Sequence, residues 1–340
     1  MDKRIKLFIY NTNDSNKDLF PIYELLKNNN IPIQKFYKII DDINEADFVI
    51  LKNSINYILE NNLTTISYIM NFCKLHNKGL LYFCSGDYGS TISDPNAICI
   101  RLGGFKSKYI QPTFIMPSFI DDPKNKITGT YQYIPKTEKP TVGFVGHAYK
   151  SVIKYLKEII IHFRVKYLGL KGKHNDKQSF YASSIRRYNY LKILEKSSLI
   201  QESFIYRKQY NACASNQKTF KKNKDEYYNN INENLFTFCI RGSGNYSVRF
   251  YDTIGLGRIP LQINSDCKLP FEDRVDWSKH IICIEEKDVK KMPEILSNFY
   301  SSKSSEELEE IQQNNRLLWE KYLTKANYFI ELSHDLKKLI

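Results

Sequence analysis

The chain has 340 residues, 42% of them hydrophobic, with a formal net charge of +13 at neutral pH. That length accommodates two domains with full cores, and the apolar share excludes a disordered chain. No apolar run is long enough to span a bilayer as a helix, while the positive excess points to anionic partners. The seven cysteines are scattered singly without a C-x-x-C pair, which reads as core thiols in a reducing compartment. The six histidines show no ligand spacing, so no metal site is expected.

Taken in chain order, apolar and β-branched runs predict strands at 4–10, 32–37, 47–51 and 79–84, with helices over about 17–29 and 54–77. The last of these strands opens GLLYFCSGDYGS (79–90), which places Asp87 on a turn beyond a strand tip. Short strands follow near 97–102 and 113–117. A polar, turn-rich linker over roughly 121–139 then divides the chain into a first domain, 1–130, and a second, 140–315. The second half begins with a strand at 140–146 and a helix at 149–163. A helical basic stretch comes next, and later a strand at 280–284 and a helix at 287–300. From Ser304 onward the pattern is helical, with Ser304 or Ser305 capping an acidic first turn.

Between the basic stretch and residue 280 lies FCIRGSGNYSVRFYDTIGLGRIPLQI (238–263). Its flanks are strands, and Val248 to Leu256 has the pattern of a short helix with Ser247 as N-cap and Gly257 as C′ residue. A glycine loop and a helix N-terminus at the carboxyl edge of a sheet form an anion site. Gly242 and Gly244 allow close backbone approach, and Asn245 tolerates a left-handed turn. Arg249 in the first helical turn opposes the helix dipole, which makes sense if Arg241 and Arg249 converge on a diphosphate. Asp252, one turn deeper, is suited to accept hydrogen bonds from a sugar hydroxyl. The loop lacks the third glycine of G-x-G-x-x-G, and no P-loop motif occurs, which argues against nicotinamide and NTPase readings.

The stretch from Phe238 through RGSGNYSVRFYDTIGLGRIP to KLPFEDRVDW (268–277) resembles the nucleotide-sugar-binding half of exostosin-like glycosyltransferases. That signature is an Arg-Gly loop, Ser-x-Arg-Phe with an acidic residue following, Gly-x-Ile-Pro, Leu-Pro-Phe and Asp-Trp. EKPTVGFVGHA (138–148), containing Gly146 and His147, looks like the strand and glycine turn that open the family's donor domain. GLLYFCSGDYGS looks like a short form of its acceptor-domain aspartate-glycine segment. The resemblance implies an α/β fold of two Rossmann-like domains facing across a cleft, the GT-B type. It also implies a C-terminal helix (316–340) packing back toward the first domain. Inverting sugar transfer without an essential metal follows, with a nucleoside-diphosphate sugar as co-substrate and a glycan acceptor on an oligosaccharide, glycolipid or glycoprotein. No D-x-D triad occurs, in keeping with that implication.

Inverting transfer needs a base, and Asp87 is the candidate, with another acidic residue of the first domain or His147 as the fallback. Residues 171–228 carry thirteen Lys/Arg against five Asp/Glu, interleaved with aromatics. Arg207 in this stretch is read as a diphosphate contact. The same stretch keeps alternatives open: a non-catalytic nucleic-acid-binding protein, or a site for an acidic glycan or an anionic membrane surface; independently of it, a nucleotide-sugar binder without turnover stays open as well. Of these, no nucleic acid is expected as a partner. MDKRIKLFIYNTN has too short an apolar core for a signal peptide, so a cytoplasmic microbial or viral relative is expected.

Overall fold

The computed structural model describes residues 4–11, 16–61, 63–209 and 216–340, which form two α/β domains, each around an all-parallel sheet. The first sheet contains β1 (Ile5–Tyr10), β2 (Tyr37–Ile40), β3 (Phe48–Leu51), β4 (Gly79–Cys84), β5 (Ala97–Arg101) and β6 (Thr113–Ile115), in the order β2-β1-β3-β4-β5-β6. Its helices are α1 (Pro21–Lys27), α2 (Ile31–Gln34), α3 (Ile55–Asn61) and α4 (Thr65–Leu75). β3 is buried along its whole length, as a central parallel strand covered on both faces must be.

The second sheet has β7 (Thr141–His147), β8 (Gln201–Arg207), β9 (Phe236–Cys239), β10 (Ile259–Asn264) and β11 (Ile282–Glu285), in the order β11-β10-β9-β7-β8. Around it run α5 (Val152–Leu170), α6 (Ser183–Glu195), α7 (Gln217–Glu233), α8 (Val248–Gly255) and α9 (Met292–Ser301). α10 (Ser305–Leu318) and α11 (Lys325–Leu336) close the chain. Ser304 begins α10 with a capping box to Glu307, as its sequence suggests.

Several elements differ from expectation, and the helix expected over 54–77 is two, α3 and α4. The strand expected at 32–37 is displaced to Tyr37–Ile40, because Asn30 accepts from the Ile33 amide at 3.3 Å and Pro32 sits in the first turn, so α2 forms instead. β8 lies within the stretch expected to be helical. Its edge position leaves it half exposed, so its apolar signal is weak. The terminal helix is interrupted by a π-helical turn at Trp319–Leu323.

That interruption is where the chain changes domains. Leu308 of α10 belongs to the second domain's core, whereas Tyr328, Phe329, Leu332 and Leu336 of α11 pack with Ile5, Phe20 and Tyr37 of the first. The Tyr37 hydroxyl donates to the Phe329 carbonyl at 2.6 Å. At the crossing point Arg316 holds both carboxylate oxygens of Asp122, at 2.8 and 2.6 Å, and donates to the Gly255 carbonyl at 2.7 Å. A fixed fork joins linker, α8 and terminal helix. The expected return of the terminal helix to the first domain is what the fold shows.

Candidate functional site

β7 is followed in sequence by β8 on one side of it, while β9 lies on the other. The carboxyl ends of β7 and β9 therefore flank a topological switch point, where open α/β sheets bind ligands. Gly146 and His147 end β7, and the loop 240–247 leaves β9 into the N-terminus of α8. Opposite stands the loop after β4, which carries Asp87. Between them is a cleft of about 640 Å³ whose walls include Asp87, Gly146, His147, Arg207, Gly242, Ser247 and Arg249. Seven residues singled out from sequence thus share one cavity, and Asp87 comes to it from the other domain.

Arg249 is aimed by its surroundings. Its Nη2 donates to the Val145 carbonyl at 2.7 Å, and its guanidinium lies 4.2 Å from the Phe144 ring centroid and 5.5 Å from that of Tyr227. Ser247 occupies the N-cap position in an extended conformation, but its hydroxyl makes no capping bond. The positive end of α8 therefore faces the cleft beside Arg249. A Cβ on Gly242 would meet nothing within 4 Å, so the cleft keeps open volume there. Arg207 lines the same cavity yet is paired with Glu226 at 2.7 Å, which offsets its charge.

His147 is 5% exposed. Burial, with Lys154 and Arg187 nearby, lowers its pKa to about 4, so it is neutral at pH 7. Asp87 accepts from the Tyr246 hydroxyl at 3.1 Å, and its carbonyl accepts from Gln178 at 3.2 Å. Asp87 thus stands at the edge of the cleft between the domains.

Four expected site residues stand elsewhere. Arg241 does not converge with Arg249. It turns to the other side of the loop, its guanidinium 4.5 Å from the Tyr181 ring centroid and 5.1 Å from that of Phe105, in an adjoining chamber. Those aromatic faces and the Ser243 carbonyl, at 2.8 Å, fix its direction. Asn245 is buried and adopts no left-handed turn; its amide donates to the carbonyls of Gly104, Ser265 and Asp266 at 2.8, 2.9 and 3.2 Å. It ties the loop to the first domain. Gly244 also serves that junction, since a Cβ there would stand 2.5 Å from the Tyr246 ring and 2.9 Å from an Asp87 carboxylate oxygen. Asp252 lies behind the cleft wall, 2% exposed, and accepts from the Tyr227 hydroxyl at 2.7 Å. Burial pushes its pKa up to about 6.

Sequence reasoning missed Arg187. This residue, 6% exposed, donates to the His147 carbonyl at 2.6 Å and to the Arg241 carbonyl at 3.2 Å, bracing both strand tips of the switch point. It hid inside a basic run, although its register with the buried Leu191 and Leu194 on one face of α6 was a readable signal. Tyr227 was missed as well: it connects Asp252 to the stack on Arg249.

Two parallel α/β domains, a switch-point cleft between them and a returning terminal helix define a chain of the GT-B class. Its second domain is exostosin-like: residues 160–299 match the family model of the exostosin GT47 domain. An exostosin-1 homolog of Caenorhabditis elegans is 32% identical over 108 residues, which is 30% of this chain and 27% of that protein. A protein of Oryza sativa subsp. japonica, described as a probable glucuronosyltransferase, is 31% identical over 103 residues, or 30% of this chain and 23% of its own. The chain thus spans about a quarter of the length of these relatives. Among solved structures, a glycosyltransferase from Rickettsia africae aligns over 99% of this chain and 100% of that one, at 10% identity and a TM-score of 0.40. Likeness at that level says nothing of the site. Among the described residues, no three His, Cys, Asp or Glu side chains gather as a metal site, and no helix is long and apolar enough to cross a membrane.

Proposed function

We propose that the chain is an inverting, metal-independent glycosyltransferase, moving a sugar from a nucleoside-diphosphate sugar to a glycan acceptor. One observation carries this reading: Asp87 of the first domain opens onto the same cleft as Gly146, Ser247 and Arg249 of the second. The domain match, and the glucuronosyltransferase description of a relative, support a sugar-nucleotide donor. The diphosphate takes the α8 N-terminus and the Arg249 fork, where fixed donors and a helix end stabilise negative charge as the leaving group departs. Asp87 removes the proton of the acceptor hydroxyl. The acceptor oxygen then bonds to the anomeric carbon from the face opposite the diphosphate, and the bond to the diphosphate oxygen breaks. No metal or cofactor is required in this scheme.

The nucleic-acid alternative is less well supported by the side chains of the basic stretch. Arg187 is buried, and Arg186, Lys192 and Arg207 are paired with Glu286, Glu195 and Glu226. A thermal-shift screen of UDP-, GDP- and CMP-sugars, followed by transfer assays in EDTA, tests the proposal. Stabilisation by one nucleotide class and metal-free turnover support it. Stabilisation without turnover leaves a binding protein, and activity lost in EDTA and restored by Mn²⁺ contradicts the metal-free scheme.

A further inference from the structure

α5 is 19 residues long and none of them is buried. Ile153, Leu156, Ile160, Phe163, Tyr167 and Leu170 are between 53% and 89% exposed. Their alternating spacing of three and four residues sets them in one stripe along the helix. Lys157, Arg164 and Lys171 repeat every seven residues along one margin of that stripe, and Lys166 flanks the other; all four are exposed. The opposite face, with Lys154, Glu158, Ile161, His162 and Val165, lines the chamber of about 890 Å³ that holds Arg241, and at the C-terminal end of the helix Lys166 and Leu170 border both the stripe and that chamber.

The helix is also fixed in place. Just beyond it, Lys173 donates to the Glu60 carbonyl at 3.0 Å and the Asn175 side chain accepts from the Thr91 amide at 2.7 Å, both in the first domain. Asp176 pairs with Arg101 there. A pinned helix with a continuous apolar stripe in water is an interaction surface.

We infer that the outer face of α5 docks the protein on an anionic lipid bilayer, lying in the interface plane with its stripe among the acyl chains. Charge complementarity selects this occupant. Residues 150–173 hold seven Lys/Arg and one acidic residue, Glu158, which faces the chamber and Lys154 at 3.8 Å. Pairing two copies through the stripe would bring basic margins together with no acidic partner, whereas anionic headgroups complement them. The helix carries too much charge to cross the membrane. With the chamber against its inner face, docking brings the bilayer within about one helix diameter, roughly 10 Å, of that cavity.

The test uses the full chain with sedimenting vesicles of phosphatidylcholine alone, or with about a third phosphatidylserine. The parent is expected to sediment with the anionic vesicles only and to be released by salt. Ile160→Asp/Phe163→Asp should weaken partitioning about a hundredfold, and Lys157→Glu/Arg164→Glu about tenfold or more, with unchanged melting temperatures. Should the first pair melt early, Ile160→Ser/Phe163→Ser supplies the comparison. Equal binding to both vesicle types, or retained binding in folded variants, overturns the inference. So does a dimer, seen by light scattering, that the same substitutions dissociate, since the stripe would then join two copies.

Discussion

Gly146 and Arg249 are fitted to each other: a Cβ on Gly146 would stand 2.7 Å from Nη2 of Arg249, the atom that donates to the Val145 carbonyl. The guanidinium is held by that carbonyl and the Phe144 face, and a Cβ at 2.7 Å would displace it from both. Gly146→Ala is therefore expected to turn Arg249 out of the cleft. Nucleoside-diphosphate affinity, measured by titration calorimetry, should fall about tenfold or more, with a small change in melting temperature. Unaltered affinity would show that the guanidinium can shift without consequence.

Asp87 and Tyr246 link the two domains across the cleft mouth. Asp87→Asn keeps the shape of the group but removes the proton acceptor. Turnover is expected to fall by about two to four orders of magnitude while donor affinity stays close to that of the parent. Tyr246→Phe removes only the hydrogen bond to the carboxylate and should cost far less. A loss for Asp87→Asn no greater than that for Tyr246→Phe would assign Asp87 to the interdomain contact and move the search for the base elsewhere.

Asp252 offers a stability test with a defined sign. Its carboxyl is raised from 3.8 to about 6 by burial. A raised carboxyl favours the fold below its ordinary pKa, and that advantage is lost as pH rises through the folded value. His147 acts in the opposite sense: lowered from 6.5 to about 4, it favours the fold above 6.5 and loses that contribution as pH falls. Comparing Asp252→Asn with the parent cancels the His147 contribution. The melting temperature of the variant relative to the parent should rise as pH increases from 3.8 to 6 and then level off. A flat difference would mean that Asp252 does not titrate in that window.

The motif unit was legible because several local rules agree over few residues. Ser247 and Gly257 bracket α8 as expected, and Gly257 has the positive φ of 65° that a C′ glycine supplies. The terminal crossing was expected only from the family resemblance; the residue pattern itself showed helix from Ser304 onward and not the π-turn, since one helical pattern runs through α10 and α11. What the sequence could not give was the side of a loop from which each side chain leaves. Arg241 is drawn away from Arg249 by Tyr181 and Phe105, which are distant in sequence. Asn245 is recruited by the carbonyl of Gly104 in the other domain. Asp252 has the right spacing for a cleft residue, but Tyr227, twenty-five residues earlier, covers it. Each departure is tertiary in origin, and each lies where the domains or elements meet.

The central claim is that a nucleoside diphosphate binds in the cleft on Arg249 and the α8 N-terminus. Titration of UDP, GDP and CDP into the parent, Arg249→Lys and Arg249→Ala, all in EDTA, tests it most directly. The parent should bind one of them without metal. Arg249→Lys should bind about tenfold more weakly, having lost the planar fork, and Arg249→Ala about a hundredfold more weakly, with the fold intact. Equal affinity in parent and Arg249→Ala, or no nucleotide bound by the parent, would contradict the account.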